Sequence, residues 1–477
     1  MVIRVLFLVK ALFFSALLFG QVEFELSALP VIDEELSATD FTKNRERLRD
    51  TLKDSSIVVL FSSPGKLRSN DIHYPYHQNP SFYYFTGVRE ENAMFVLFKE
   101  PMRIDEKWYR EILFIEQKDD KKEQWTGKML GIDGAKEVSG IGAVLPNTDW
   151  KTMELDLSAI LHVLTNNVEM AETDDKTHPG DLASLTHHFK AKMERAQLTY
   201  SAEAGEDLFG YLRQSKSQAE VSMIRRACDI TVEAQKVVMD QCKPGLSEYQ
   251  LEAMISYTFR YNGADGEAFP SIVAAGDNGG IMHYTSNESL LIPGDMVVVD
   301  IGAQYQGYAA DVTRTFPVSG TFTEEQKLVY QVVLDAQTVA IRYAREGYKF
   351  WTPHEEAYRT IGKGLIKLGI ITDWADIGKF FIHGTSHYLG LDVHDAGIYS
   401  SLKAGEVITV EPGIYIPEGS PCDPKWWGIF VRIEDDILIT EDAAENLTSA
   451  APRTIAEIES FMAGPSDEEE APTEDGE

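Results

Sequence analysis

The chain has 477 residues, 44% hydrophobic and 25% charged, a globular make-up too long for one ordinary core, so two or three domains are expected. A formal net charge of −32 would repel a polyanion over most of the surface and argues against a nucleic-acid partner. The three cysteines, Cys228, Cys242 and Cys422, form no C-x-x-C spacing, so neither a disulfide framework nor a zinc knuckle is suggested.

The N-terminal stretch MVIRVLFLVKALFFSALLFG sets Arg4 ahead of an apolar run broken only by Lys10, and turns polar at Gln21. Its apolar core from Ala11 to Phe19 is too short to span a bilayer but suits the h-region of a secretory leader over residues 1–20. The cleavage signal is imperfect, with Phe14 or Leu18 where a small residue is preferred. No other apolar run is long enough to span, so the expectation is export to the periplasm or medium without stable membrane insertion.

From 38 to 200, β-prone runs (SSIVVLFSS, NAMFVLF, EILFI) alternate with helical patterns such as TDFTKNRERLRDTLKD, which predicts an α/β domain. NPSFYYFTG, rich in aromatics, reads either as an interface or wall element or as an aromatic core strand. The charged helical stretch LASLTHHFKAKMERAQLTYSAEAGEDLFGYLRQ carries the domain boundary, between about 195 and 215. A second domain over 210–462 opens with the helical pattern QAEVSMIRRACDITVEAQKVVMDQC, followed after a Pro-Gly break by PGLSEYQLEAMISYTFRYNG. Cys228 and Cys242 sit in or beside these patterns and read as buried free thiols. Residues 463–477 end in SDEEEAPTEDGE, with seven acids and no base, a solvated tail.

The second domain contains an echo. LIPGDMVVVDIG and LKAGEVITVEPG share Leu, Gly, an acid, four β-prone residues, an acid and Gly. Both read as buried strands, as two halves of an old duplication would give. The shared acids are Asp300 and Glu411. Asp311 in YAADVTRTF and Glu434 in IFVRIEDDI share the same apolar strand setting. A carboxylate in a buried strand is costly unless it is paired or binds a metal. A hairpin turning near Tyr305–Gly307 would set Asp300 opposite Asp311, or, one residue out of register, diagonal to it. Two bare carboxylates that close would repel; a cation resolves the conflict.

HGTSHYLGLDVHD then places His383, His387 and His394 close together in a chain of eleven histidines. Holding metal, moving protons and packing are all open to them. Oxygen-rich ligation with one imidazole suits two divalent ions, Mn²⁺ best, and such a pair polarises a carbonyl and generates hydroxide near neutral pH, the machinery of hydrolysis.

These residues resemble a known family, the pita-bread metallopeptidases, and within it the Xaa-Pro aminopeptidases (aminopeptidase P). RSNDIHYPYHQNPSFYYFTGV is similar to the signature of that family's N-terminal domain. GDNGGIMHYTSNES, VVVDIGAQYQGYAADVTRTFPVSG, HGTSHYLGLDVHD, VEPGIYI and VRIEDD resemble its catalytic motifs in order. The resemblance implies an α/β (α+β) protein with a pseudo-symmetric pita-bread catalytic domain. It implies that Asp300, Asp311, His387, Glu411 and Glu434 are metal ligands, with Asp311 and Glu434 bridging. By the same resemblance His283 and His394 face the substrate, His383 lines a proline pocket, Glu411 shuttles a proton, and Arg432 and Tyr415 support the metals and pocket. The substrate would be a peptide with proline in second place, and the assembly a homodimer or tetramer. The alternatives are a prolidase, which shares the metal motifs, and a non-catalytic module, which typically loses the ligands kept here.

Overall fold

The computed structural model describes residues 28–30, 35–166 and 180–464. The leader expected over 1–20, and all but the first two residues of the tail expected over 463–477, lie outside the described residues. Helix α1 (Ala38–Thr51) starts at a capping box between Ser37 and Asp40 and buries Phe41, Asn44, Arg45 and Leu48, a spacing that gives one inward face. Strand β1 (Ser56–Phe61) is buried at every position, as expected for a β-branched run covered on both faces.

NPSFYYFTG forms no strand, and its Pro80 and Tyr83 line a cavity with Arg89, Asp265 and Gly307. It is helix α2 (Pro80–Thr86), capped by Asn79, which accepts from Phe82 N, started by Pro80 and stopped by Gly87 at φ 69°. Phe82, Tyr84 and Phe85 are fully buried, each contributing roughly 2–3 kcal/mol of burial. Strands β2 (Met94–Ile104), β3 (Lys107–Ile115), β4 (Val144–Pro146) and β5 (His162–Thr165) complete a five-stranded sheet in the order β4-β3-β2-β1-β5. One face carries Ile57, Val59, Phe61 and Phe114, covered by Trp150 and by Leu185 and Phe189 of α3 (Leu182–Ala196). The other face carries Val58, Leu60, Phe95 and Leu97. Its core runs on through Phe209 and Leu212 of α4 (Glu203–Gln214), and Met223 and Ile224 of α5 (Gln218–Gln241), to Tyr308 and Leu389. The charged stretch expected as one helical segment is thus two helices, with Gln197 in the left-handed region between them.

The sequence echo is also an echo of structure. In the first half α5 and α6 (Glu248–Tyr261) lead into strands β6 (Ile272–Ala275), β7 (Met296–Ile301), β8 (Ala303–Tyr305), β9 (Tyr308–Ala309) and β10 (Val312–Pro317). In the second, α7 (Glu324–Tyr343) and α8 (Thr352–Lys367) lead into β11 (Val407–Val410), β12 (Gly413–Ile416), β13 (Ile429–Arg432) and β14 (Asp435–Ile439). β7 pairs antiparallel with β10, and β11 with β14. The loops before α6 and α8 repeat the same bonds. Gly245 N donates to Leu291 O at 3.0 Å and Gly347 N to Leu402 O at 2.9 Å; Leu291 N donates to Leu246 O and Leu402 N to Tyr348 O, both at 2.8 Å. Cys228 and Cys242 are buried free thiols, as expected.

Candidate metal centre and active site

Asp300 pairs with Thr313 and Tyr305 with Tyr308, so the hairpin turns at Gln306–Gly307, whose φ angles of 49° and 85° suit a tight two-residue loop. Asp311 therefore lies diagonal to Asp300, the second of the two registers anticipated. Glu434 occupies the equivalent place in the second half, between β13 and β14, and Glu411 directly follows β11. His387 is held to β11 by Thr409 N, which donates to its carbonyl at 3.0 Å.

These elements converge on a cavity of about 250 Å³ lined by Asp300, Asp311, His387, Glu411 and Glu434, together with His283, His383, His394, Arg432 and Met282. Of the expected residues only Tyr415 stands behind the lining. One ligand atom each of Asp311, His387 and Glu434 lie within 4.8 Å of one another. His387 Nε2 is 3.4 Å from Asp311 Oδ2 and 3.8 Å from Glu411 Oε1. Its Nδ1 is 3.0 Å from the Tyr388 carbonyl, so the proton belongs on Nδ1 and the Nε2 lone pair faces the acids, the orientation a metal ligand needs.

Burial raises the carboxyl pKa of Asp311 and Glu434 well above normal, and their mutual repulsion, with that of Asp300 and Glu411, adds to it. Glu411 is pushed up to about 7 by burial, against the pull of His387 and Arg432. Asp300 Oδ1, Asp311 Oδ1 and Glu434 Oε1 are buried with no hydrogen-bond partner. Orphaned carboxylate oxygens on three neighbouring acids, with an imidazole and no thiolate, fit hard divalent cations.

On the other wall His383 Nδ1 lies 2.7 Å from Gly384 O, which makes Nδ1 the donor and leaves Nε2 to accept from Tyr415 Oη at 2.8 Å. Arg432 Nη1 donates to the same hydroxyl at 3.1 Å. Burial, and then Arg432, lower the His383 pKa to about 4, so its ring is neutral. Burial and the neighbouring His387 and His283 also lower that of His394. The His387 and His394 ring centroids are 4.2 Å apart. The loop carrying His283 is organised by the buried Glu248, which accepts from Ala275 N, Asn278 Nδ2, Tyr284 Oη and Ser289 N at 2.8–2.9 Å.

The motifs gave no sign of two glutamines that clamp the ligand strands. Gln235 Nε2 on α5 donates to Val299 O at 3.0 Å and Val312 O at 2.8 Å, the residues beside Asp300 and Asp311. Gln337 Nε2 on α7 donates to Val410 O at 3.2 Å and Asp435 Oδ2 at 2.8 Å, beside Glu411 and Glu434. The pair obeys the internal symmetry, but a lone Gln in a helical pattern carries no signal by itself. Thr313, whose hydroxyl donates to Glu434 Oε2 at 2.7 Å, was also unmarked.

The chain matches the model of Metallopeptidase family M24 over residues 222–441 and that of the Aminopeptidase P N-terminal domain over 41–162. It is 36% identical to the Xaa-Pro aminopeptidase of Escherichia coli over 444 residues, 90% of this chain and 98% of that one. It is similar to the structure of Pseudomonas aeruginosa aminopeptidase PepP, with a TM-score of 0.81 and 33% identity over 90% of this chain and 99% of that one. It is also similar to E. coli aminopeptidase P with the inhibitor Pro-Leu, with a TM-score of 0.79 and 36% identity over the same shares. The halves with duplicated ligand strands are thus a pita-bread domain behind an α/β N-terminal domain, and the chain belongs to the aminopeptidase P group of the M24 metallopeptidases.

Proposed function

We propose that the protein is a metal-dependent aminopeptidase that releases the first residue of peptides with proline in second place. The observation that carries this is the union, in one cavity, of the orphaned acid cluster with a wall of His383 and Arg432 backed by Tyr415. An X-Pro bond is a tertiary amide without N–H, and the ring fixes φ. The polar atoms of this wall already satisfy one another, so it offers a ring shape rather than free donors. E. coli aminopeptidase P, whose structure holds the inhibitor Pro-Leu, is similar to this chain throughout the region.

Asp300, Asp311, His387, Glu411 and Glu434 would hold two divalent ions, with Asp311 and Glu434 shared between them; the oxygen-rich set favours Mn²⁺. Such ions supply Lewis acidity toward the scissile carbonyl and a water nucleophile near neutral pH. His283 and His394 are positioned to orient that carbonyl by hydrogen bonds. Glu411 carries the proton that the proline nitrogen needs as leaving group. His383, Tyr415 and Arg432 hold the ring.

The N-terminal and catalytic domains are taken as 38–200 and 210–462, a division supported by the two family matches, with α4 straddling the boundary. Assembly as a dimer or tetramer is favoured by Trp108 and Trp125, 68% and 89% exposed on the N-terminal domain. Export rests on the leader sequence alone. The test is hydrolysis of X-Pro-Y and X-Ala-Y tripeptides by chelator-stripped protein before and after Mn²⁺ addition, with products identified by mass. Release of X only from X-Pro-Y, and only with metal, is expected; equal cleavage of X-Ala-Y would overturn the assignment.

A further inference from the structure

His387 and His394 share a wall of the cavity but are anchored differently. His387 lies beside the β11 ladder, where Leu389 N donates to Val407 O and Thr409 N to His387 O, both at 3.0 Å. Residues 390–395 have no such ladder. The loop is closed on itself by Asp395 N, which donates to Tyr388 O at 2.9 Å, and is tied to the hairpin by Ala309 N, which donates to Gly390 O at 2.8 Å. What fixes its end is the carboxylate of Asp395, the residue after His394.

That carboxylate is 1% exposed and meets two buried cations, Arg213 in the last turn of α4 and Lys216 in the connector from α4 to α5. Arg213 Nη2 donates to Oδ1, and Lys216 Nζ to Oδ2 at 3.1 Å; the two side chains are 4% and 1% exposed. Arg213 also donates to Asp392 Oδ2 and to Ser81 Oγ on α2, both at 3.1 Å. The connector is itself stitched down, with Lys216 N donating to Gly405 O at 2.8 Å. Gly390 completes the fit, since a Cβ there would stand 2.2 Å from Asp395 Oδ2 and 3.0 Å from Lys216 Cε. Burying a lysine and an arginine is costly, and hydrophobic residues commonly stabilise as well. The arrangement needs another reason, and the residue it immobilises is next to a histidine that faces substrate.

We propose that Arg213 and Lys216 are positioning residues that set the attitude of His394 toward the substrate, acting through Asp395 and independently of the metal ligands. The proposal rests on the assignment of His394 to the substrate. It makes the end of α4, through Arg213 and Ser81, a mechanical link from the N-terminal domain to the catalytic loop.

The experiment is a double-mutant cycle on metal-loaded, full-length enzyme with an X-Pro-Y peptide, combining His394→Ala with Lys216→Met and, separately, with Gly390→Ala. Gly390→Ala leaves every charge in place and crowds Asp395 and Lys216 where they meet, so it serves if Lys216→Met fails to fold. In wild-type background each substitution is expected to lower kcat about tenfold or more, as loss of a well-placed acid–base or polarising group does. KM should change little, metal stoichiometry should stay that of wild type, and Lys216→Arg should restore most of the rate. In the His394→Ala background both substitutions should change kcat less than about twofold, because coupled residues are not additive. Equal losses in both backgrounds, or losses that track metal content, would overturn the proposal. So would a His394→Ala enzyme as fast as wild type, since nothing would remain to position; that outcome leaves the X-Pro assignment itself intact, because wild-type cleavage is the control.

Discussion

Arg432 Nη2 donates to Asp300 Oδ2 at 2.7 Å, and this pair joins the two walls of the cavity. The same guanidinium reaches Thr313 Oγ1 through Nε and Tyr415 Oη through Nη1, both at 3.1 Å, so it ties the acid cluster to the wall of His383 and Tyr415. A lysine has one point of charge and no fork. Arg432→Lys should therefore weaken metal affinity by about 10- to 100-fold, as loss of a ligand-supporting group does. It should raise KM as well. Metal titration and steady-state kinetics check this; wild-type values for both would refute the dual role.

The bridging positions are a separate case. Asp311→Asn and Glu434→Gln keep shape but remove a charge from the orphaned cluster. Each should lose at least one metal ion by elemental analysis and orders of magnitude in rate, because in the proposed two-ion chemistry both ions act on the water and the carbonyl. A variant with full metal content and full rate would remove Asp311 or Glu434 from the centre.

The pKa shifts give a pH dependence with a definite sign. Without metal, burial raises the carboxyls of Asp311 and Glu434, and Glu411 from 4.5 to about 7. Acids whose folded pKa is raised hold protons that the unfolded chain releases. Their contribution is fully present below about 4.5 and is lost as pH rises through the folded values. Chelator-stripped protein should thus melt at least ~3 °C lower at pH 7.5 than at pH 5, a shift equivalent to about 3 kcal/mol in a chain of this size. Metal should reverse the trend, since it binds the deprotonated ligands. Scanning fluorimetry across pH, with Asp311→Asn as the variant in which the stripped slope flattens, would show it.

Within HGTSHYLGLDVHD the three histidines should separate by readout. His387→Ala should release metal. His383→Ala should keep it and raise KM for X-Pro-Y by about tenfold, the loss of roughly one buried contact. Metal loss in His383→Ala would exchange the two roles.

How far the sequence carried differs residue by residue. Asp300 and Glu411 were legible because a carboxylate after a run of Val and Ile has few affordable explanations. The hairpin register was not, because it turns on the positive φ of Gln306, which its residue type does not favour. NPSFYYFTG was misread because its aromatics weigh toward strand, while Asn79, Pro80 and Gly87, which decide the matter, are helix caps. The Arg213–Asp395 pair was invisible: it is a contact between the end of a helix and a distant loop, and no local pattern marks either end.

Peptide length separates an aminopeptidase from a prolidase. NPSFYYFTG puts Pro80 and Tyr83 on the wall of a neighbouring cavity, beside Gly307 and Leu391, and not among the residues that line the metal cavity. Two exposed side chains flank the site histidines in sequence. Ile281 and Ile382 are 53% and 51% exposed, and stand two residues before His283 and one before His383. An apolar residue after proline that covers either side chain would gain roughly 1–2 kcal/mol. Spent in the transition state, that is about a tenfold gain in kcat/KM or more. We expect X-Pro-Leu to be cleaved at least about tenfold more efficiently than X-Pro, with X-Pro-Asp in between. Replacing both isoleucines by Ser should erase most of the advantage of Leu over Asp while leaving hydrolysis of the X-Pro dipeptide unchanged. The measurement is kcat/KM on the three substrates for both enzymes, at saturating Mn²⁺. Efficient hydrolysis of X-Pro with none of X-Pro-Leu would mean that the cavity is closed beyond the proline, and prolidase would be the correct assignment.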